Sequence, residues 1–154
     1  MRILTVRQPW AWAIIHGGKD IENRSMNIAG NYRGPVAIHA SKKRHSDSWA
    51  LFERTAPNAQ VLRDQATLET ALGSIIGVVD LIDVHRCLGR EEDCSSANGS
   101  FPCSAWAFKT EKFHLVFANP RPIQPIPYKG FLGLRLVTEK HVLEEISSQL
   151  GDGI

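Results

Sequence analysis

Long hydrophobic runs are missing from this sequence of 154 residues. No apolar stretch approaches the roughly 18 residues that a membrane-spanning helix needs. The first ten residues, MRILTVRQPW, lack the apolar segment of a secretory signal peptide. Only three cysteines are present, an odd number that suits a reducing compartment better than a disulfide framework. These absences predict a cytoplasmic protein with no membrane partner.

Several common cofactor and catalytic motifs are also absent. The sequence contains no Walker loop, no G-x-G-x-x-G, no H-E-x-x-H and no G-x-S-x-G. His85 and the cysteines Cys87, Cys94 and Cys103 have the spacing H-x-C-x6-C-x8-C, which lacks the closely paired cysteines typical of structural zinc sites. We therefore expect no cofactor and no metal, and we expect the three cysteines to be reduced thiols.

The hydrophobic residues predict a folded protein with a substantial core. They make up 43% of the sequence and include four tryptophans and six phenylalanines, which excludes disorder over most of the chain. We expect one domain over residues 1–154, with a core from about 2 to 137. Period-2 and β-branched patterns predict strands at residues 2–6, 19–24, 35–41, 74–85, 106–108, 113–118 and 131–137.

The spacing of these strands indicates the fold class. Helices are predicted at residues 10–16, within 46–72 and at about 139–150, and the proline-rich segment 119–127 is predicted to be extended and irregular. About six strands with inserted helices at irregular spacing favour an α+β fold built on a closed or partly open β-barrel. Asp80 lies on an apolar face of the predicted central strand, so we expect it to form a structural ion pair.

Positive charge is concentrated near the start of the chain. Residues 1–45 contain eight basic and two acidic residues, whereas residues 46–154 contain ten basic and fourteen acidic residues. Such asymmetry is typical of a face that binds phosphates or a polyanion, although a solvated surface with clustered charges has the same composition.

Lys19, Glu22 and Arg24 form the first candidate site. They follow two glycines, and Glu22 and Arg24 would share one face of a short strand. A neutral lysine here could act as a base or a nucleophile, and a charged one could hold a phosphate or a base carbonyl. A surface ion pair among the three residues is the structural alternative.

The second candidate site combines basic residues with an aromatic ring. Tyr32 and Arg33 precede a strand that ends in Ser41, Lys42 and Lys43, and this combination suits phosphate contacts and base stacking. His39 lies on the same strand, where a packed, hydrogen-bonded histidine is the more common role.

Three segments together resemble the ASCH family of the PUA-like superfamily: LTVRQPWAWAIIHGGKDIENRS, YRGPVAIHAS and GVVDLIDV. The resemblance spans about residues 4–137 and includes the segments Asn119-Pro120-Arg121 and Pro127-Tyr128-Lys129-Gly130. It implies a PUA-like pseudo-β-barrel of about six strands with peripheral helices. It also implies a ligand cleft beside the Q-P-W helix and an association with RNA or other nucleic acids.

The resemblance also assigns roles to residues. In one group of the family, which hydrolyses an acetylated cytidine nucleoside, the lysine that matches Lys19 is catalytic, and a threonine and a glutamate assist it. The threonine position is Glu22 here, and Glu91 or Glu92 lies in the stretch of the helper glutamate. The catalytic candidates are therefore Lys19, Glu22 and Arg24. The candidate ligand-binding residues are Arg7, Gln8, Pro9, Trp10, Tyr32, Arg33, His39, Ser41, Lys42 and Lys43.

Two function classes follow from these residues. In the first, the protein binds RNA, a nucleotide or a nucleoside in a basic cleft. In the second, it is a small hydrolase of amidohydrolase or ribonuclease type, with Lys19 as base or nucleophile and Arg24 or a backbone N–H stabilising an oxyanion.

Overall fold

The computed structural model describes residues 1–43, 52, 71–88, 94, 103–108 and 112–151, and six strands and two helices are its regular elements. The strands are β1 (Arg2–Val6), β2 (Ile21–Arg24), β3 (Gly34–Ala40), β4 (Ser74–Arg86), β5 (Phe113–Pro127) and β6 (Leu134–Leu136). The helices are α1 (Trp10–His16) and α2 (Lys140–Leu150). No helix in these ranges is long and apolar enough to cross a membrane.

The six strands form one sheet in the order β2-β5-β4-β3-β1-β6. Only β1 and β3 pair in parallel, and the other neighbours are antiparallel. The sheet curls into a half-barrel, which confirms the predicted α+β barrel-like fold. The long apolar β4 lies inside the sheet between β3 and β5, as its hydrophobic pattern predicted.

The two helices pack on opposite faces of this sheet. Because side chains alternate along a strand, Leu4 and Ile38 pack with Ile14 of α1, whereas their neighbours Ile3 and Ala37 pack with α2. α2 contributes Val142 and Ile146 to that second core. Both faces of the central strands are therefore buried, which explains their nearly continuous apolar sequence.

The predicted strand at residues 106–108 is wrong, because this segment forms a turn. Asn23 of β2 binds both backbone groups that a strand would use for pairing. Its Nδ2 donates to the Trp106 carbonyl at 2.9 Å, and its Oδ1 accepts from the Phe108 N–H at 2.8 Å. The backbone hydrogen bonds of this segment are thus made with a side chain.

The predicted helices within residues 46–72 lie outside the described residues, apart from Phe52, which is helical, and residues 71–72, which lie in a turn. The prolines of segment 119–127 do not end the preceding strand, because β5 continues to Pro127. β2 pairs only with Phe113–Val116, so the later part of β5 has no second strand beside it among the described residues. A proline there can turn its missing donor away from the β4 ladder.

Asp80 forms the expected ion pair across β4 and β5. Arg121 donates to both carboxylate oxygens, at 2.6 and 3.1 Å, and Asn119 donates to Oδ2 at 2.9 Å. The pairing register of the two strands shifts between Val78 and Asp80, and Asn119 adopts a positive φ of 50°. The irregular backbone therefore brings all three side chains together at the sheet surface.

We expect the substitution Asp80→Asn to lower the free energy of unfolding by about 1–2 kcal/mol at neutral pH, because Arg121 loses a charged, bidentate partner. The hydrogen bonds from Arg121 lower the pKa of Asp80 below 3.8. The stabilisation is therefore present at neutral pH and lost as the pH falls below 3.8 through the lowered folded-state pKa.

Urea unfolding of both proteins between neutral pH and pH 3 measures this difference. Glu144→Gln is the control, since it breaks an ion pair with Lys140 that is fully on the surface and is expected to change stability by only about 0–0.5 kcal/mol. A stability difference for Asp80→Asn that stays constant down to low pH would contradict the assigned role.

Candidate functional site

A glycine turn places Lys19 inside the protein. Gly17 ends α1 by donating to the Ala13 carbonyl, and a Cβ at Gly17 would lie only 2.9 Å from the Ala13 Cα. Gly18 has a φ of +69°, in the left-handed region that favours glycine. The turn leads directly into β2, so the Lys19 side chain is buried between α1 and that strand, with 3% of its surface exposed.

Lys19, Glu22 and Arg24 form a continuous chain of charges, which is the ion pairing expected as the structural alternative for this site, but largely buried instead of at the surface. The Lys19 Nζ lies 3.1 Å from Glu22 Oε2, and Glu22 Oε1 lies 3.2 Å from Arg24 Nη2. Lys19 also donates a hydrogen bond to the Ile21 carbonyl. The carboxylate therefore has a cation on each side, one buried and one partly exposed.

Burial lowers the pKa of Lys19, and the nearby Glu22 carboxylate opposes that effect by stabilising the charged amine. The Trp10 ring centroid lies 5.9 Å from the amine, within range of a cation–π contact. All of these contacts lie within the protein, and Lys19 does not line the adjoining cleft, whereas Glu22 and Arg24 do. Lys19 therefore positions Glu22 in this structure.

The cleft beside this chain has a volume of about 1080 Å³. Its floor includes Glu22, Arg24 and Trp10. One wall follows the end of β1 and includes Arg7, and another is the segment 41–43 after β3. The opposite rim is the segment 127–133, which connects β5 to β6. This space is at the upper end of small-molecule pockets and accommodates more than one nucleotide unit.

Positive charge dominates the cleft. Besides the Glu22–Arg24 pair it is lined by Arg7, Lys42, Lys43 and Lys129, and Glu22 is its one carboxylate within the described residues. No carboxylate from the described part of the chain lies within ion-pair distance of those four cations. They can therefore contact an anionic ligand without leaving a carboxylate in the described part of the chain.

Aromatic rings lie at the same cleft. Trp10 is partly buried and is fixed by edge contacts with Phe52, Trp106 and Phe108, at centroid distances of 5.0, 6.5 and 6.2 Å. Phe131 is on the opposite rim, and the Arg135 guanidinium lies 5.1 Å from its ring. A ring held in this way stacks on a ligand at little cost in conformational entropy.

His39 and Ser41 line the cleft but are already engaged with the backbone. The His39 Nε2 lies 3.0 Å from the Tyr128 carbonyl, and burial lowers the pKa of His39, so its ring is neutral near pH 7. Ser41 Oγ accepts from the Lys43 N–H at 3.1 Å. Both residues shape the cleft wall, and His39 has the packed role that is common for a strand histidine.

Four of the candidate binding residues do not line this cleft. Gln8 and Pro9 are buried, and Gln8 Oε1 accepts from the Trp12 N–H at 3.0 Å, in the first turn of α1. Tyr32 donates to the Pro35 carbonyl at 2.7 Å, and Arg33 lies 3.6 Å from Asp83. Ligand contacts by these four residues remain predictions. Glu91 and Glu92 lie outside the described residues.

Lys129 lines the cleft but was not among the predicted binding residues. It follows Tyr128, whose hydroxyl donates to Glu139 at 2.5 Å, so the rim is tied to the residue that precedes α2. Its neighbour Gly130 packs against His39, where a Cβ would lie 2.9 Å from the ring. The motif Tyr128-Lys129-Gly130 was visible in the sequence, but only the folded sheet brings it to the same cleft as Lys43.

Comparisons with known proteins agree with this architecture. A comparison with curated proteins gave no match. Among solved structures, an ASCH variant protein from Zymomonas mobilis, with a tyrosine replaced by phenylalanine, has a TM-score of 0.53 at 16% identity, covering 95% of this chain and 96% of the other. The ASCH structure from the same organism has a TM-score of 0.49 at 16% identity, covering 96% of this chain and 93% of the other.

The first of these structures shows the same fold at an identity too low to carry a function. The family model described as the ASCH domain matches residues 4–127. That range begins in β1 and ends with β5, so it contains the glycine turn, the Lys19–Glu22–Arg24 chain and most of the cleft. The chain belongs to the ASCH domain family.

Proposed function

We propose that this protein binds single-stranded RNA, or a nucleotide unit of it, in the basic cleft. The observation that carries the proposal is the set of four cations without carboxylate partners in the described residues, around a floor that contains a fixed tryptophan ring. Cations that track a backbone, together with aromatic rings that stack bases, are the usual means of binding single strands.

Each part of the cleft has a role in this proposal. Arg7, Lys42, Lys43 and Lys129 contact phosphate oxygens from the two walls. Trp10 stacks on a base, and Glu22 accepts a hydrogen bond from an exocyclic amine, as carboxylates do with the N4 amine of cytosine. Lys19 and Arg24 fix the orientation of that carboxylate from behind and from the side.

The alternative function is hydrolysis of a modified nucleoside or of RNA, and it is supported by the lowered pKa of Lys19. A buried amine with a lowered pKa is a recognised form of base or nucleophile. In this chain, however, the amine contacts Glu22 and the Ile21 carbonyl. Catalysis by Lys19 requires the ligand to displace Glu22, so binding is the function that the geometry supports best.

We expect Lys43→Gln and Lys129→Gln each to weaken binding of a short labelled RNA severalfold, because each removes one phosphate contact. In a salt titration followed by fluorescence anisotropy, each variant should reduce the slope of log affinity against log salt by about 0.7. Lys140→Gln is the matched control, since it removes the same charge from the exposed helix α2. Equal effects of all three substitutions, or affinity that is independent of salt, would contradict the proposal.

We expect Glu22→Gln to destabilise the protein by about 3 kcal/mol or more at neutral pH, because it leaves the buried Lys19 ammonium without its carboxylate. The double variant Lys19→Met/Glu22→Gln should recover part of this loss. In the single variant Glu22→Gln, burial lowers the pKa of Lys19 without the opposing effect of Glu22, so the folded variant binds fewer protons than its unfolded chain. Its stability should therefore approach that of the wild type as the pH rises towards 10.5.

Denaturant unfolding of the four members of this cycle measures the coupling between Lys19 and Glu22. A Glu22→Gln variant as stable as the wild type would show that the pair is not buried in solution.

Incubation with N4-acetylcytidine, followed by mass spectrometry, tests the hydrolase alternative separately. We expect no turnover. Turnover that Lys19→Met abolishes, in a variant that remains folded, would identify an enzyme.

A further inference from the structure

Four potential metal ligands meet where β4 ends and β5 begins. His85 and His114 are directly opposite each other in the antiparallel ladder of these strands. Cys94 and Cys103 come from the chain between them, in the spacing H-x8-C-x8-C-x10-H. One ligand atom from each of the four side chains lies within 4.8 Å of all the others.

Three distances within this cluster match those of a tetrahedral site. The His114 Nδ1 lies 3.3 Å from the Cys94 sulfur and 3.3 Å from the Cys103 sulfur, and the His85 Nε2 lies 3.8 Å from the Cys94 sulfur. Zinc bonds of about 2.3 Å to sulfur and 2.0–2.1 Å to nitrogen, at tetrahedral angles, separate the ligand atoms by about 3.3–3.8 Å.

Both histidines have their other ring nitrogen next to a hydrogen-bond acceptor. The His114 Nε2 lies 3.1 Å from the Phe108 carbonyl, and the His85 Nδ1 lies 2.9 Å from the Asp83 carboxylate. Each of these nitrogens therefore carries the proton, which leaves the nitrogen that faces the cysteines with its lone pair. A carboxylate or carbonyl behind a histidine is the usual outer partner of a metal-bound imidazole.

The burial of Cys94 and His114 also favours a bound cation. Cys94 and His114 are both fully buried, with 0% of their surface exposed. The His114 Nδ1 offers one lone pair to two sulfurs at equal distance, so it can accept a full hydrogen bond from only one thiol at a time. A cation at the centre satisfies both sulfurs and both nitrogens together.

We propose that a zinc ion binds between four side chains: His85, Cys94, Cys103 and His114. On binding, each of the two thiols gives its proton to solvent, and the two thiolates neutralise the charge of the ion. Two thiolates and two imidazoles form a donor set that selects zinc, and four protein ligands leave no open position, so the site is structural. The expectation of no metal rested on the spacing from His85 to Cys103, and His114 lies beyond that segment.

The zinc would fix the turn 103–108, which packs against Trp10 of the cleft floor. Cys103 begins the turn 103–108, in which Trp106 contacts Trp10 and Phe108 receives the hydrogen bond from His114. The same turn is held on its other side by Asn23. The metal would therefore hold the residues that pack behind Trp10, while leaving the cations of the cleft unchanged.

Metal analysis of the purified protein tests this proposal. We expect the full chain to contain about one zinc per chain by inductively coupled plasma mass spectrometry. The protein is cleaved from any affinity tag and prepared without chelators. Reconstitution with cobalt should give the thiolate charge-transfer and tetrahedral ligand-field bands of a two-sulfur site. Cys94→Ser and His114→Ala should lose the zinc, and His85→Ala, at the more exposed of the two site histidines, should bind it more weakly.

One variant serves as a matched control. His141→Ala removes an exposed histidine of α2, so it should keep the full zinc content. The proposal would be overturned if the wild-type protein contained no zinc as purified and bound none after reduction and incubation with zinc chloride. This test holds even if the ligand variants fail to fold. Zinc retained at full content by Cys94→Ser would overturn it as well. RNA binding is measured separately, so the two proposals can fail independently.

Discussion

The ammonium group of Lys19 is a charge that the fold buries, and the site depends on how that charge is neutralised. A buried amine without a carboxylate costs several kcal/mol, so Glu22 has to turn inward from β2 to meet it. Arg24, two residues further along the same strand, then pairs with the second oxygen of Glu22. The glycine turn and the short strand bring the three charges together, and the two ion pairs hold the Glu22 carboxylate at the cleft.

Local sequence patterns predicted most of the sheet because its strands are rich in the apolar and β-branched residues that pack against the helices. β1, α1 and β4 agree with their predicted ranges within a residue, and Asp80 formed the ion pair that its apolar surroundings required. The turn 106–108 could not be predicted in the same way. Its aromatic residues favour a strand, and only the contact with Asn23, more than eighty residues earlier, decides otherwise.

In the candidate site too, contacts between residues close in sequence were predicted and contacts between distant residues were not. The sequence motif brought Lys19, Glu22 and Arg24 together correctly, because they are close in sequence and share a turn and a strand. Lys129 and His114 were missed because their partners are distant in sequence and meet them only through the pairing of β4 with β5 and the return of the chain beside β1. Tyr32 and Arg33 belong to a motif of the family, yet their contacts with Pro35 and Asp83 place them outside the cleft lining.

The residue at position 22 decides which chemistry the buried lysine can perform. A nucleophilic amine has to be neutral, and burial alone would favour that form by lowering the pKa of Lys19. The Glu22 carboxylate acts in the opposite direction, because it stabilises the ammonium and occupies one of its hydrogen bonds. A threonine at this position, which the family resemblance associates with hydrolysis, would accept a hydrogen bond without adding charge. With Glu22 at this position, the Lys19 amine holds a carboxylate in place instead of being available for reaction. A carboxylate on the floor of a basic cleft is suited to hydrogen bonding with a nucleobase.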